Sequence, residues 1–185
     1  MRQENVMKKL LSLVFGLGLA SSAAANGLFP HVVSQLDLDS YLGRWYEVAS
    51  TKPIFQKDCV CVTADYFLVD EKTVEVVNSC RKFSPEAPIE ETRGTAKASK
   101  NPAKFTVNFG GIDFPFTNYW VVDLADDYRY AVVSTFLRQP IWVLSRTPEI
   151  APEDLAGIRE RLKSQFYFTG NLTPTRQDGC FGVGE

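Results

Sequence analysis

The sequence predicts an all-β fold, an eight-stranded up-and-down antiparallel β-barrel with one C-terminal α-helix packed outside. Three observations point there. Eight short segments rich in Val, Tyr, Phe, Trp and Thr recur along the chain, and these residue types suit a pleated, half-buried surface. Turn residues separate the segments. One late segment changes from the two-residue period of a strand to the three- and four-residue steps of a helix.

The strand candidates are Arg44–Ala49, Val60–Val69, Thr73–Arg81, Glu91–Ala98, Lys104–Phe109, Tyr119–Leu124, Tyr130–Thr135 and Ile141–Ser145. Between them stand Asp70-Glu71, Ser84-Pro85, Asn101-Pro102, Gly110-Gly111, Asp126-Asp127 and Gln139-Pro140, each a turn signal. The helical segment carries Leu155, Ile158, Leu162 and Phe166 on one face. Pro152, Glu153 and Asp154 open it and Arg161 and Lys163 stand near its end, which suits both the first-turn geometry and the helix dipole. Short connections favour closure, because a closed sheet has no exposed edges. Eight strands enclose room for one small ligand. The strand count alone fits a two-sheet sandwich as well.

The first 25 residues read as a secretory signal peptide, leaving residues 26–185 as one domain. Lys8 and Lys9 precede the apolar run Leu10–Ala20, and Ala23-Ala24-Ala25 forms a small-residue cleavage site. The run is too short to span a bilayer, which takes about 20 apolar residues. No cysteine stands at the cleavage site to accept a lipid anchor. The expectation is export, to the periplasm or outside the cell, as a soluble protein.

A net charge of −2 with no basic block argues against nucleic acid as a partner. Cys59, Cys61, Cys80 and Cys180 all lie in the exported part, an even number that suggests two disulfides in an oxidising compartment. A metal site is disfavoured: Cys59-x-Cys61 is spaced too closely for a zinc knuckle, and neither metal nor cofactor is expected. His31 is the lone histidine and lies upstream of the first strand, so a Ser-His-Asp or Cys-His catalytic set has little to draw on. Asn171-Leu172-Thr173 is a glycosylation acceptor only where the cell of origin glycosylates.

Three segments resemble the lipocalin family. Tyr41-Leu42-Gly43-Arg44-Trp45-Tyr46-Glu47 is similar to its opening G-x-W-Y motif. Asp126-Asp127-Tyr128-Arg129-Tyr130-Ala131 stands in place of its T-D-Y turn, with Asp126 where Thr is usual. Trp142-Val143-Leu144-Ser145-Arg146 is similar to its closing arginine motif. They occur in the family's order and spacing, and the likeness is nearest to the branch of bacterial lipocalins and apolipoprotein D.

The resemblance implies a barrel whose floor is closed by Gly43, Trp45 and Arg146, the guanidinium lying across the indole face. It implies that Tyr66 and Trp142 line a ligand pocket. Parity puts Leu144 and Trp142 on the face of Arg146, and Phe105 and Phe109 together on another strand. Tyr119 and Tyr130 are further wall candidates. The implied ligand is a small lipophilic molecule with a long tail and one polar head, of the fatty acid or lysophospholipid type, carried or scavenged without catalysis. The alternative is a lipocalin-like isomerase or de-epoxidase on a lipophilic substrate. A family cysteine five residues before the Tyr66 position favours Cys61–Cys180 with Cys59–Cys80. A hairpin near Asp70-Glu71 also sets Cys61 roughly opposite Cys80, which would leave Cys59–Cys180. The segment Ser50–Asp58 reads as a loop over the barrel mouth, with Pro53, Ile54 and Phe55 as an apolar tip able to pack on the barrel, touch a membrane surface or meet a partner. Monomer and homodimer are both compatible with the sequence.

Overall fold

The computed structural model describes residues 29–111 and 114–180. A one-turn helix α1 (Leu38–Tyr41) leads into β1 (Gly43–Ser50). Then come β2 (Cys59–Asp70), β3 (Thr73–Lys82), β4 (Ile89–Ala98), β5 (Lys104–Phe109), β6 (Tyr119–Leu124), β7 (Tyr130–Ser134) and β8 (Trp142–Ser145). Each pairs antiparallel with the next, and β1 pairs with both β2 and β8, so the eight strands close as a barrel and not a sandwich. Helix α2 (Pro152–Ser164) follows, and a two-residue strand β9 (Thr173–Pro174) pairs with the end of β1. The eight strands and α2 stand where the residue pattern sets them. The expected signal peptide over 1–25 lies outside the described residues.

The connections β1–β2, β3–β4, β5–β6 and β7–β8 surround one end of the barrel, the mouth. The hairpins β2–β3, β4–β5 and β6–β7 surround the other. At this closed end Trp45 is fully buried, and the Arg146 guanidinium carbon stands 3.7 Å from the centre of its ring. Arg146 donates to the carbonyls of Ser40 (2.6 Å) and Arg44 (2.8 Å), and Trp45 Nε1 donates to the carbonyl of Tyr41 (2.8 Å). Carbonyls at the end of α1 have no partner within the helix, so these donors replace it. Gly43 has φ +85°, a left-handed conformation that strains other residues, which explains the glycine two residues before the indole. In the β6–β7 turn Tyr128 takes φ +58° and its hydroxyl accepts from the Asp37 amide at 2.8 Å, so the turn forms with Asp126 in place of Thr.

Two apolar layers result from strand alternation. The inner one holds Trp45, Tyr66, Val76, Phe105 and Leu144. The outer one packs Val48, Val122, Val132 and Val143 under Ile158 and Leu162 of α2. The start of α2 is tied to the closed end by two Arg129–Asp154 hydrogen bonds of 2.9 Å. The apolar face stops earlier than its spacing suggests. Helix α2 ends at Ser164, Phe166 turns left-handed (φ +64°) and is exposed, and Tyr167 is buried against the sheet instead.

Beyond the pair Tyr46 and Thr63, β1 and β2 separate, and the C-terminal segment fills the gap. The Thr175 amide donates to Val48 O (3.0 Å) and the Cys61 amide to Arg176 O (2.9 Å). Gln177 Nε2 bridges Glu47 O and Val62 O, both at 2.8 Å. The disulfides are Cys59–Cys80 and Cys61–Cys180. A bulge between Val60 and Thr63 decides this pairing. The residues Cys61 and Val62 face one residue of β3, and Cys61, at φ +56°, turns away from Cys80 toward the C-terminal segment.

Candidate functional site

The barrel interior contains a cavity of about 550 Å³. This is within the roughly 300–1,000 Å³ typical of small-molecule sites. Its walls are mainly apolar: Val74, Val76, Ala96, Val107, Val133 and Leu144. Five of the six sequence-derived wall candidates, Tyr66, Phe105, Phe109, Tyr119 and Trp142, also line it. Gly94 is required beside them. A Cβ there would come within 2.6 Å of the Phe109 ring and 2.3 Å of the Asn108 carbonyl oxygen, so only glycine allows the ring to lie over β4.

Tyr130 is the exception and must be corrected. It faces outward, packed in the layer beneath α2, with its hydroxyl accepting from Arg161 Nη2 at 2.8 Å. Strand parity explains this. Ala131 and Val133 belong to the inner layer, and Tyr130 pairs with Ser145, which alternates with the inward Leu144.

Polar groups gather at two levels. On the floor side, the hydroxyl oxygens of Tyr41 and Tyr119 stand 2.7 Å apart and those of Tyr66 and Tyr119 3.0 Å apart. Tyr41 stacks between Trp45 and Tyr66, with ring centroids at 5.1 and 5.7 Å. At the mouth, Trp142 Nε1 donates to Gln56 Oε1 (2.6 Å), Gln56 Nε2 to Glu47 Oε2 (2.8 Å), and the Thr175 hydroxyl to Glu47 Oε1 (2.6 Å). This chain of bonds fastens the β1–β2 loop against the barrel wall. Phe55 of that loop lines the cavity, 6.5 Å from Trp142 between centroids, while Ile54 is 90% exposed. Sequence reasoning missed Tyr41, Glu47 and Gln56 as cavity residues. Tyr41 precedes the first strand and Gln56 sits in a loop, so parity addresses neither. Glu47 is an acid on a strand of an apolar barrel, a signal that was readable.

Burial pushes all three tyrosines above the ordinary value of 10, Tyr66 to about 12, with its hydrogen bond to Tyr119 opposing the shift. The folded state therefore favours the neutral phenols. Their stabilisation is complete below pH 10 and is lost as pH rises from 10 toward 12. Absorbance titration should show these tyrosinates forming only as tertiary circular dichroism is lost, with Tyr66→Phe removing part of that late phase. Ionisation of the cluster near pH 10 in a folded barrel would contradict this.

All four cysteines are in disulfides, so no thiol is available as a nucleophile. His31 is exposed, upstream of the barrel. Among the described residues no group of His, Cys, Asp or Glu is arranged to hold a metal, and no helix is long and apolar enough to cross a membrane.

Comparison with known proteins agrees with this architecture. Residues 36–177 match the model of the lipocalin-like domain. Mouse (Mus musculus) apolipoprotein D is 33% identical over 161 residues, covering 82% of each chain. The outer membrane lipoprotein Blc of Citrobacter freundii is 36% identical over 126 residues, 66% of this chain and 68% of that one. Among solved structures, insecticyanin from the tobacco hornworm Manduca sexta superposes with a TM-score of 0.63 over 83% of this chain and 85% of that one, at 18% identity. Lobster apocrustacyanin A1 gives 0.61 over 76% and 79%, at 17% identity. These two likenesses concern the fold alone. With a closed eight-stranded barrel, one outer helix and a family match over most of its length, the chain belongs to the lipocalins, a family that binds small hydrophobic ligands.

Proposed function

We propose that this protein binds one small lipophilic molecule with a long apolar tail, of the fatty acid or lysophospholipid type, and carries or scavenges it without chemical change. The observation that carries the reading is the cavity of about 550 Å³, walled mainly by apolar side chains, with a tyrosine hydroxyl cluster on its floor side and its charged groups toward the mouth. Each methylene buried there contributes roughly 0.8 kcal/mol, so a long chain binds tightly on apolar contact alone. The absence of a free thiol in the fully paired cysteine set favours carriage over a thiol-dependent reaction. Two disulfides also suit export into an oxidising compartment. The exposed Ile54 and Phe55 tip beside the mouth suits transient contact with a membrane surface as a lipid enters.

Titration of the delipidated protein with cis-parinaric acid tests the reading. Saturable binding near one molecule per chain is expected. Trp142→Ala and Tyr66→Ala should each weaken it about tenfold, because an aromatic wall residue contributes roughly 1.5–3 kcal/mol of apolar contact. Absence of saturable binding to any long-chain lipid would reject the proposal.

A further inference from the structure

The tyrosine cluster raises a question of proton count. Tyr41, Tyr119 and Tyr66 each carry one hydroxyl proton, and the two oxygen–oxygen contacts of 2.7 and 3.0 Å use two of the three. Among the described residues no other side chain or carbonyl bonds these hydroxyls, so the third proton has the cavity to donate into. Tyr119 joins both neighbours and is the least buried of the three, and all three line the cavity. If both neighbours donate to Tyr119, its own proton faces the cavity.

Among the described residues, nothing at this level would compensate a negative charge. The cavity's charged side chains are Glu47, Lys82 and Glu90. Lys82 and Glu90 stand at the mouth ends of β3 and β4, and Glu47 is held by the mouth loop through Gln56. Arg146 lies behind Trp45 with its fork already on two carbonyls. Its attraction for Tyr41 and Tyr66 is outweighed by burial, which keeps the phenols neutral.

From this arrangement we infer that the Tyr41–Tyr119–Tyr66 hydroxyls form a subsite for an uncharged oxygen acceptor, a carbonyl or hydroxyl, so that the polar end of a fatty ligand enters first and its tail fills the upper cavity. The inference rests on the proposed lipid-binding function and narrows it. Fatty ketones, aldehydes and alcohols satisfy the free donor, and a fatty acid does so as its protonated carboxyl. A phosphate-headed lipid would keep its head at the mouth and leave the donor facing hydrocarbon.

Methyl decyl ketone with a ¹³C-labelled carbonyl reads the subsite directly. Bound to the wild-type protein, its carbonyl stretch should move to lower frequency than in hexane, the signature of a hydrogen bond. In the triple variant Tyr41→Phe/Tyr66→Phe/Tyr119→Phe, which removes every donor of the cluster, the stretch should return toward the hexane value and the affinity, measured by displacement of cis-parinaric acid, should fall about three- to tenfold, the range of one net hydrogen bond. Tyr66→Phe, which leaves Tyr119 in place, should keep part of the shift. A wild-type ketone that displaces the probe with an unshifted carbonyl overturns the subsite while leaving lipid binding intact. A ketone and probe that both fail to bind overturn the subsite together with the proposed function. The wild-type spectrum decides the matter even where a variant folds poorly.

Discussion

Replacing Cys61 and Cys180 together with alanine is expected to cost about 4–5 kcal/mol of unfolding free energy. The bond closes a loop with a sequence separation of 119, and opening a loop of that size returns conformational entropy worth about this much to the unfolded chain. The Cys59–Cys80 bond spans 21 residues and should cost nearer 3 kcal/mol on the same scaling. The difference has a structural counterpart. The Cys61–Cys180 bond holds the C-terminal segment in the gap between β1 and β2, where Thr175 and Gln177 supply hydrogen bonds that the strands no longer give each other. Denaturant unfolding of the two double variants measures both costs. A larger loss for the Cys59–Cys80 pair would contradict the role assigned to the tail.

The second large effect is expected at the barrel floor. Trp45→Ala should lose about 3–5 kcal/mol, the range for removing a buried large aromatic. The side chain is fully buried, packs against the Tyr41 ring at 5.1 Å between centroids, and carries the Arg146 guanidinium 3.7 Å from its ring centre. Trp45→Phe keeps a ring for Arg146 but loses the Nε1 bond to Tyr41 O, so it should cost much less, near 1–2 kcal/mol with the lost volume included. Equilibrium unfolding monitored by far-ultraviolet circular dichroism checks both. Equal losses in the two variants would mean that the indole acts through its N–H and not through packing.

The fold was legible because its signals are periodic. Alternation puts Phe105, Val107 and Phe109 on one strand face and the spacing of Ile158 and Leu162 states a helix face, whereas the inward side of Tyr66 follows from the family resemblance. The motif segments added what periodicity cannot, the pairing of Trp45 with an arginine about a hundred residues later. Parity failed only where the face of a strand was not anchored. Tyr130 was assigned inward with no inward neighbour to fix it, whereas its pairing with Ser145 places it outside. The missed residues share another cause. Tyr41 sits in a single helical turn and Gln56 in a loop, and both reach the cavity through tertiary placement. The same holds for β9, which exists because β1 and β2 separate at a bulge that no local pattern announces.

The central claim is that the barrel holds one long-tailed lipophilic molecule. Native mass spectrometry of the purified protein, followed by denaturation and analysis of the released material, addresses it most directly. The account predicts a chain carrying a single lipid with a long apolar tail, replaced one for one by added fatty ligand after delipidation. A barrel that carries no lipid when isolated and takes up none when offered would contradict it.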